Sequence, residues 1–198
     1  MCRRDGLGEL RVWTLASLVS LLLLAMLAGC GGEATPEPGG DVLSAEEQFD
    51  LGNTYYQQGN LDEAAAAFEA ALKVQPSHLG SLTNLGVVYY QQGRLDDAVT
   101  QFEAGLKADA SDAQLHYLLG AVRLQQGRLD DAEKSFLRAG ELQPDLPEVY
   151  YGLGALYRLQ GKTDEAIAAF ERFLEAGPAQ DPRAEEEAKR ELRELRGY

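Results

Sequence analysis

Residues 79–112 read LGSLTNLGVVYYQQGRLDDAVTQFEAGLKADASD, and this block is one of four that follow one another at a constant step of 34 residues. The step is visible in single columns: Gly52, Gly86, Gly120 and Gly154; Gly59, Gly93, Gly127 and Gly161; Ala64, Ala98, Ala132 and Ala166; Phe68, Phe102, Phe136 and Phe170. A fixed period of this length marks stacked supersecondary units, none of which can bury its apolar face alone. Function on such an array belongs to a surface shared between repeats rather than to one catalytic pocket.

Inside each block the apolar residues recur at helical spacing on two segments separated by a glycine turn. In the first block the spacing predicts a helix over 45–58, a turn at Gly59-Asn60 and a second helix over 61–74. Gly59 and its equivalents fall just past a helix end, where glycine adopts a left-handed backbone with no Cβ penalty. The acid pairs Asp62-Glu63, Asp96-Asp97, Asp130-Asp131 and Asp164-Glu165 fall in the first turn of each second helix, where they offset the positive end of the helix dipole. They read as helix starters, not as metal ligands. Pro76, Pro144 and Pro178 end second helices by removing a backbone donor.

Upstream of the repeats, Ser44 with Glu47 three residues later makes a capping box, and the folded domain begins there. Residues 31–42, GGEATPEPGGDV, form a tether stiffened by Pro36 and Pro38, with a reach of up to about 3.3 Å per residue. Before it, Arg3, Arg4 and Arg11 precede an uncharged Leu-rich run over 12–28, and Ala28 and Gly29 lead into Cys30, the pattern of an export signal. The uncharged span 12–32 is also long enough to cross a bilayer, which leaves a retained anchor as the alternative. Downstream, Asp181-Pro182 reads as an N-cap followed by proline at the first helical position. Ala184, Ala188, Leu192 and Leu195 then make one apolar stripe in a charged segment, with Glu185–Lys189 and Glu186–Arg190 pairs four apart. The bulky Phe173, where the earlier blocks carry Ala71, Gly105 and Ala139, marks the end of the stack against this non-repeat helix.

The pattern of a small or apolar residue, Leu-Gly, Tyr, then Gly, Ala, Phe, Ala and Pro at fixed offsets resembles the tetratricopeptide repeat, with copies at 45–78, 79–112, 113–146 and 147–180. The resemblance implies an all-α fold, a right-handed α-solenoid of four helix-turn-helix units, closed by a capping helix over 181–198. In that arrangement the glycine at Gly52, Gly86, Gly120 and Gly154 is expected to face the alanine at Ala64, Ala98, Ala132 and Ala166, bringing the paired helices close. The chain departs from the family pattern where Gln48, Leu82, His116 and Tyr150 occupy the usual Trp column, where Arg123 replaces a Tyr, and where Ala110 replaces a closing Pro.

Leu27-Ala28-Gly29-Cys30 resembles the lipobox of bacterial lipoproteins, which implies signal cleavage after residue 29 and lipid on Cys30. Cys2 would leave with the signal, so no disulfide is expected. Two or more acyl chains suffice for stable anchoring without a transmembrane helix. Domain organisation is then 1–29 signal, 30–43 lipidated cysteine and linker, 44–180 four repeats and 181–198 cap. Gly31 after the cysteine, rather than aspartate, resembles the outer-membrane sorting choice, with the body facing the periplasm if the host has two membranes.

The formal charge is −14, and loss of residues 1–29 removes three arginines and two acids, leaving the body one unit more negative. Nucleic acid is excluded as a partner, because phosphate affinity needs clustered cations and outside the signal no more than two occur in succession, at Lys189-Arg190 among glutamates. The two histidines, His78 in an inter-repeat turn and His116 in a helix column, have no cysteine or histidine neighbours at ligand spacing. No nucleophile elbow or phosphate-cradling glycine loop occurs, so neither an enzyme nor a cofactor or metal site is expected.

In the resembled family, the first helix of each repeat lines a groove that receives a partner segment. The matching positions here are Glu46, Phe49, Asn53, Tyr56 and Gln57; Thr83, Asn84, Val87, Tyr90 and Gln91; Gln114, Tyr117, Ala121, Leu124 and Gln125; Glu148, Tyr151, Ala155 and Arg158. Aromatics dominate and Arg158 is the sole cation, a composition suited to contact residues. Family members that clamp a terminal carboxylate share Asn53 and Asn84, but their cationic positions here hold Phe49, Gln114 and Leu118, so an apolar or helix-like segment is expected instead. The resemblance extends to lipoproteins that support type IV pilus or secretin assembly and to protease or cell-wall enzyme adaptors. It implies a lipid-anchored interaction scaffold of the cell envelope; the alternative is a self-assembling structural module whose repeat faces make homo-oligomers.

Overall fold

The computed structural model describes residues 43–176 and 182–197. Signal, lipobox, tether, Pro178 and Asp181 lie outside the described residues. The four blocks form antiparallel pairs: α1 (Ala45–Gln57) with α2 (Leu61–Val74), α3 (Leu79–Gln91) with α4 (Leu95–Ala108), α5 (Ala113–Gln125) with α6 (Leu129–Leu142), and α7 (Pro147–Leu159) with α8 (Thr163–Glu175). A last helix, α9 (Pro182–Arg196), packs on α8. Each second helix also contacts the first helix of the next pair, and the first helices touch one another in sequence, α1 to α3 to α5 to α7. Among the described residues there are no strands. The architecture is an all-α tetratricopeptide-like solenoid.

Local chemistry sets the element ends. At the start of α1 the Glu47 amide donates to the Ser44 hydroxyl (3.2 Å), and the Ser44 amide donates to the Glu47 carboxylate (2.8 Å), a complete capping box. Asp112 caps α5 through the Leu115 amide at 3.0 Å. His78 caps α3 in an unusual way. Its Nδ1 accepts from the Ser81 amide (3.2 Å) and hydroxyl (2.8 Å), while Nε2 donates to Glu46 one repeat earlier (3.2 Å). The turn glycines adopt φ of 73 to 79°, and Asn60, Arg94, Arg128 and Lys162 donate their amides back to Tyr55, Tyr89, Arg123 and Tyr157. This is the Schellman closure, repeated four times. The second helices lack side-chain N-caps, and the acid pairs occupy their first turns as expected.

The nearest neighbours of the glycine column are aromatic rings. A Cβ on Gly52, Gly86, Gly120 or Gly154 would lie 2.4 to 2.7 Å from the ring of Phe68, Phe102, Phe136 or Phe170 of the same pair. The glycine column is therefore the slot for the phenylalanine column, whose four rings are at most 1% exposed. The alanine column is fully buried beside it. Phe173 is buried with Ala188 and Leu192 of α9, and Ala184 and Leu195 extend the same cluster, so the stripe closes the stack as expected. On the exposed face Lys189 holds both Glu185 (2.7 Å) and Glu186 (3.1 Å), so Glu186 takes the neighbour three residues away rather than Arg190.

Polar clasps repeat with the blocks. Gln92 Nε2 donates to Asp62 and Gln126 Nε2 to Asp96, both at 2.8 Å. The Tyr89 hydroxyl donates to Glu69 at 2.6 Å, and Arg123, one block later in the same column, donates to Glu103 at 3.1 Å. The replacement of Tyr by Arg thus preserves the clasp, and Ser135 accepts the other Arg123 nitrogen at 2.8 Å. In the Trp column, His116 Nε2 and the Tyr150 hydroxyl each reach back six residues, to the carbonyls of Ala110 (3.2 Å) and Pro144 (2.7 Å).

Candidate functional site: the inner face of the first helices

The helices α1, α3, α5 and α7 carry the proposed groove positions, and the surroundings of those positions differ between the two ends. Toward the N-terminal end the polar side chains satisfy one another. Asn84 Nδ2 donates to Asn53 Oδ1 at 2.7 Å, and Gln91 Nε2 donates to the Tyr56 hydroxyl at 2.6 Å. Phe49 is a wedge between repeats: its ring lies 5.0 Å from His78 and 5.9 Å from Phe68, and it fills the space left by Gly80. Val87 packs partly buried against the same core.

Toward the C-terminal end the face opens into a cavity of about 370 Å³. Of the sequence-derived positions, Tyr90, Tyr117, Ala121, Leu124, Gln125, Tyr151 and Ala155 line it. Phe136, Gly152 and Leu159 complete the lining, and sequence reasoning missed them. One column break carried a signal. Leu159 follows Gln57, Gln91 and Gln125, whereas Gly152 falls in a column of Asp50, Asn84 and Leu118 that has no constant residue. Leu159 is 58% exposed, an apolar rim on an otherwise polar helix end. Tyr117 lies tilted against Phe136 at 5.9 Å, and Tyr151 lies 5.8 Å from Phe170 and 5.4 Å from Phe173, so these rings serve packing and lining together.

Helix α9 also contributes to this face, which the sequence did not indicate. The Tyr151 hydroxyl donates to Glu187 at 2.8 Å, and Arg158 Nε sits 3.1 Å from Glu191, an ionic contact off the hydrogen-bond line. Arg158, expected as the sole cation of the groove, is therefore paired within the chain. Burial and then the Glu187 hydrogen bond push the Tyr151 phenol up to about 12; burial and the nearby Glu148 carboxylate do the same for Tyr117. Both phenols are neutral donors throughout the physiological range. Among the described residues no group of three or more His, Cys, Asp or Glu is placed to hold a metal ion.

The tetratricopeptide repeat profile matches residues 49–113, 85–147 and 117–181. The chain belongs to the tetratricopeptide repeat family. Proteins of this family are, as a rule, scaffolds that bind other proteins rather than enzymes. Among solved structures, a MamA protein superposes with a TM-score of 0.64 at 26% identity, covering 78% of this chain and 87% of that one. PilF of Pseudomonas aeruginosa superposes with a TM-score of 0.67 at 24% identity, over 76% of this chain and 67% of that one. MamA of Desulfovibrio magneticus RS-1 gives 0.58 at 23% identity, over 67% and 73%. No curated protein matches the chain.

Proposed function

We propose that this repeat protein is a lipid-anchored interaction scaffold of the bacterial cell envelope, whose inner face docks an extended or helical segment of a protein partner. The observation that carries the docking role is the cavity of about 370 Å³ formed by α3, α5, α6 and α7. It has an aromatic and small-residue lining, a rim of exposed Leu159, and lies within the size range of sites that accept a ligand group. The N-terminal half of the face, where Asn53, Asn84, Tyr56 and Gln91 hold one another, offers polar edges along which the segment continues. The partner segment then carries an apolar anchor toward its end over α5 and α7. The lipid anchor rests on the resemblance of residues 27–30 to a lipobox, with Cys30 as attachment point and the outer membrane as destination in a two-membrane host.

Site-specific photo-crosslinking in native membranes tests the docking role. A benzophenone side chain at Leu159 is expected to capture a partner, and the same group at exposed Leu137, which does not line the cavity, is expected not to. Ala155→Glu should abolish the Leu159 adduct by placing a charge in the apolar lining. Identical adducts from both positions, or an adduct unaffected by Ala155→Glu, would refute docking in the cavity. An adduct of twice the chain's own mass would favour self-assembly instead.

A further inference from the structure

A second cavity, of about 450 Å³, shares no residue with the inner face. It lies where α4 and α6 flank α5, and its lining concentrates positive charge: Lys107, Arg123, Lys134 and Arg138 against the single acid Glu103. In a chain with 18 Lys and Arg against 32 Asp and Glu, that local balance is inverted. The floor is apolar, from Leu106 and Leu119.

We propose that this cavity is a docking site for an acidic peptide segment of a partner protein, in which an apolar side chain enters over Leu106 and Leu119 and flanking carboxylates meet Lys107, Lys134 and Arg138. Three features argue for this occupant. First, the cations are available. Among the described residues Lys107 has no ionic partner, Lys134 stands 4.0 Å from Asp131, and Arg138 pairs only with exposed Glu141 three residues on. Exposed pairs of this kind are worth at most about 1 kcal/mol and exchange readily for a better ligand. Arg123 differs: held by Ser135 (2.8 Å) and by the lining acid Glu103 (3.1 Å), its charge is compensated and it shapes the wall, leaving Lys107, Lys134 and Arg138 as the cations that meet the ligand. Second, the cavity lies open between helices, and a small molecule there would leave much of its surface in water, whereas a peptide covers the rim as well as the floor. Third, the chain's overall negative charge does not cancel the attraction. At physiological ionic strength charges beyond about 8 Å are screened, while the lining cations act at contact.

The test uses the full chain in a non-ionic detergent and fluorescence anisotropy with two labelled peptides, EELLEE and its uncharged counterpart QQLLQQ. EELLEE is expected to bind and to weaken as salt rises, with QQLLQQ at least about tenfold weaker. Lys107→Glu with Lys134→Glu, both at exposed positions, should weaken EELLEE about tenfold with the helical circular dichroism unchanged. Ala155→Glu on the inner face should leave EELLEE binding intact, which separates this site from the docking cavity proposed above. Equal binding of the two peptides, binding unaffected by the double reversal, or loss of binding in Ala155→Glu would each overturn the proposal. So would free glutamate competing as well as the peptide, since that would mean a small-anion site.

Discussion

Replacing Gly86 by alanine inserts one methyl group at the tightest point of the array, and the outcome depends on two opposed effects of similar size. Alanine in a helix interior is favoured over glycine by about 1 kcal/mol. The new Cβ, however, would lie 2.4, 2.7 and 2.9 Å from Cε1, Cδ1 and Cζ of Phe102, where carbon atoms prefer separations of about 3.5–4.0 Å. The ring is 0% exposed and shares its cluster with buried Leu85, Val88, Ala98 and Leu115, so it has no solvent side into which to retreat. Overpacking of this kind costs about 1–3 kcal/mol. Taking its upper half leaves a net loss of about 1–2 kcal/mol, or a fall in Tm of about 3–6 °C for a body of this size. Gly140→Ala is the matched control: its new methyl group meets only Val149 Cγ1 at 3.4 Å, and it should be neutral or stabilising by up to about 1 kcal/mol. Urea unfolding followed by circular dichroism at 222 nm, on the full chain in non-ionic detergent, measures both. Adding Phe102→Leu to Gly86→Ala should cost less than the sum of the single changes, because the smaller side chain vacates the space the methyl group needs. A Gly86→Ala protein as stable as the Gly140→Ala control would refute the glycine-slot explanation of the core.

Phe173→Ala should destabilise the array by about 3–5 kcal/mol, and amide exchange should then quicken first in α9, whose buried Ala188 and Leu192 lose their platform. Tyr89, Tyr117 and Tyr151 have phenols pushed up to about 12, above the ordinary value of about 10. Because the folded state favours the neutral phenol, this contribution to stability is whole below pH ~10 and is lost as pH rises from about 10 toward 12. Absorbance at 295 nm should show these three titrating late, then all at once on unfolding; a single transition near 10 with the fold intact would contradict their burial. Cys30→Ser should eliminate incorporation of labelled palmitate, and persistent label would remove the lipid anchor from the proposed function.

The helix boundaries were legible because every device that sets them is local: the Ser44–Glu47 box, the turn glycines and the acid pairs of the second helices act within a few residues of one another. What escaped was side-chain direction. The family resemblance placed Gly52 against Ala64, but the atoms nearest to a Cβ there belong to the ring of Phe68, which the resemblance did not point to. The same holds on the inner face. Seven of the positions expected for the groove line one cavity, yet Phe49 is a wedge between repeats and Arg158 is paired within the chain, because each answers to a residue on another element. Leu159 was missed although it breaks a column of three glutamines, a departure from the repeat where the sequence carried specific information, whereas Gly152 lies in a column with no constant residue to break.

The clasps that join successive blocks, Gln92 to Asp62 and Gln126 to Asp96, recur at one and the same offset. At the third joint Gln160 instead donates to Glu133 at 3.3 Å, but a joint shared by the first two links places no limit on how many such links are strung together. Duplicating residues 79–112 in frame would lengthen the protein by one pair of helices while the glutamine–aspartate clasp recurred at the new seam, and only the ends, Ser44 and Phe173, would need to stay where they are. Reach and recognition can thus change separately in such a chain, one by copying and the other by point substitution.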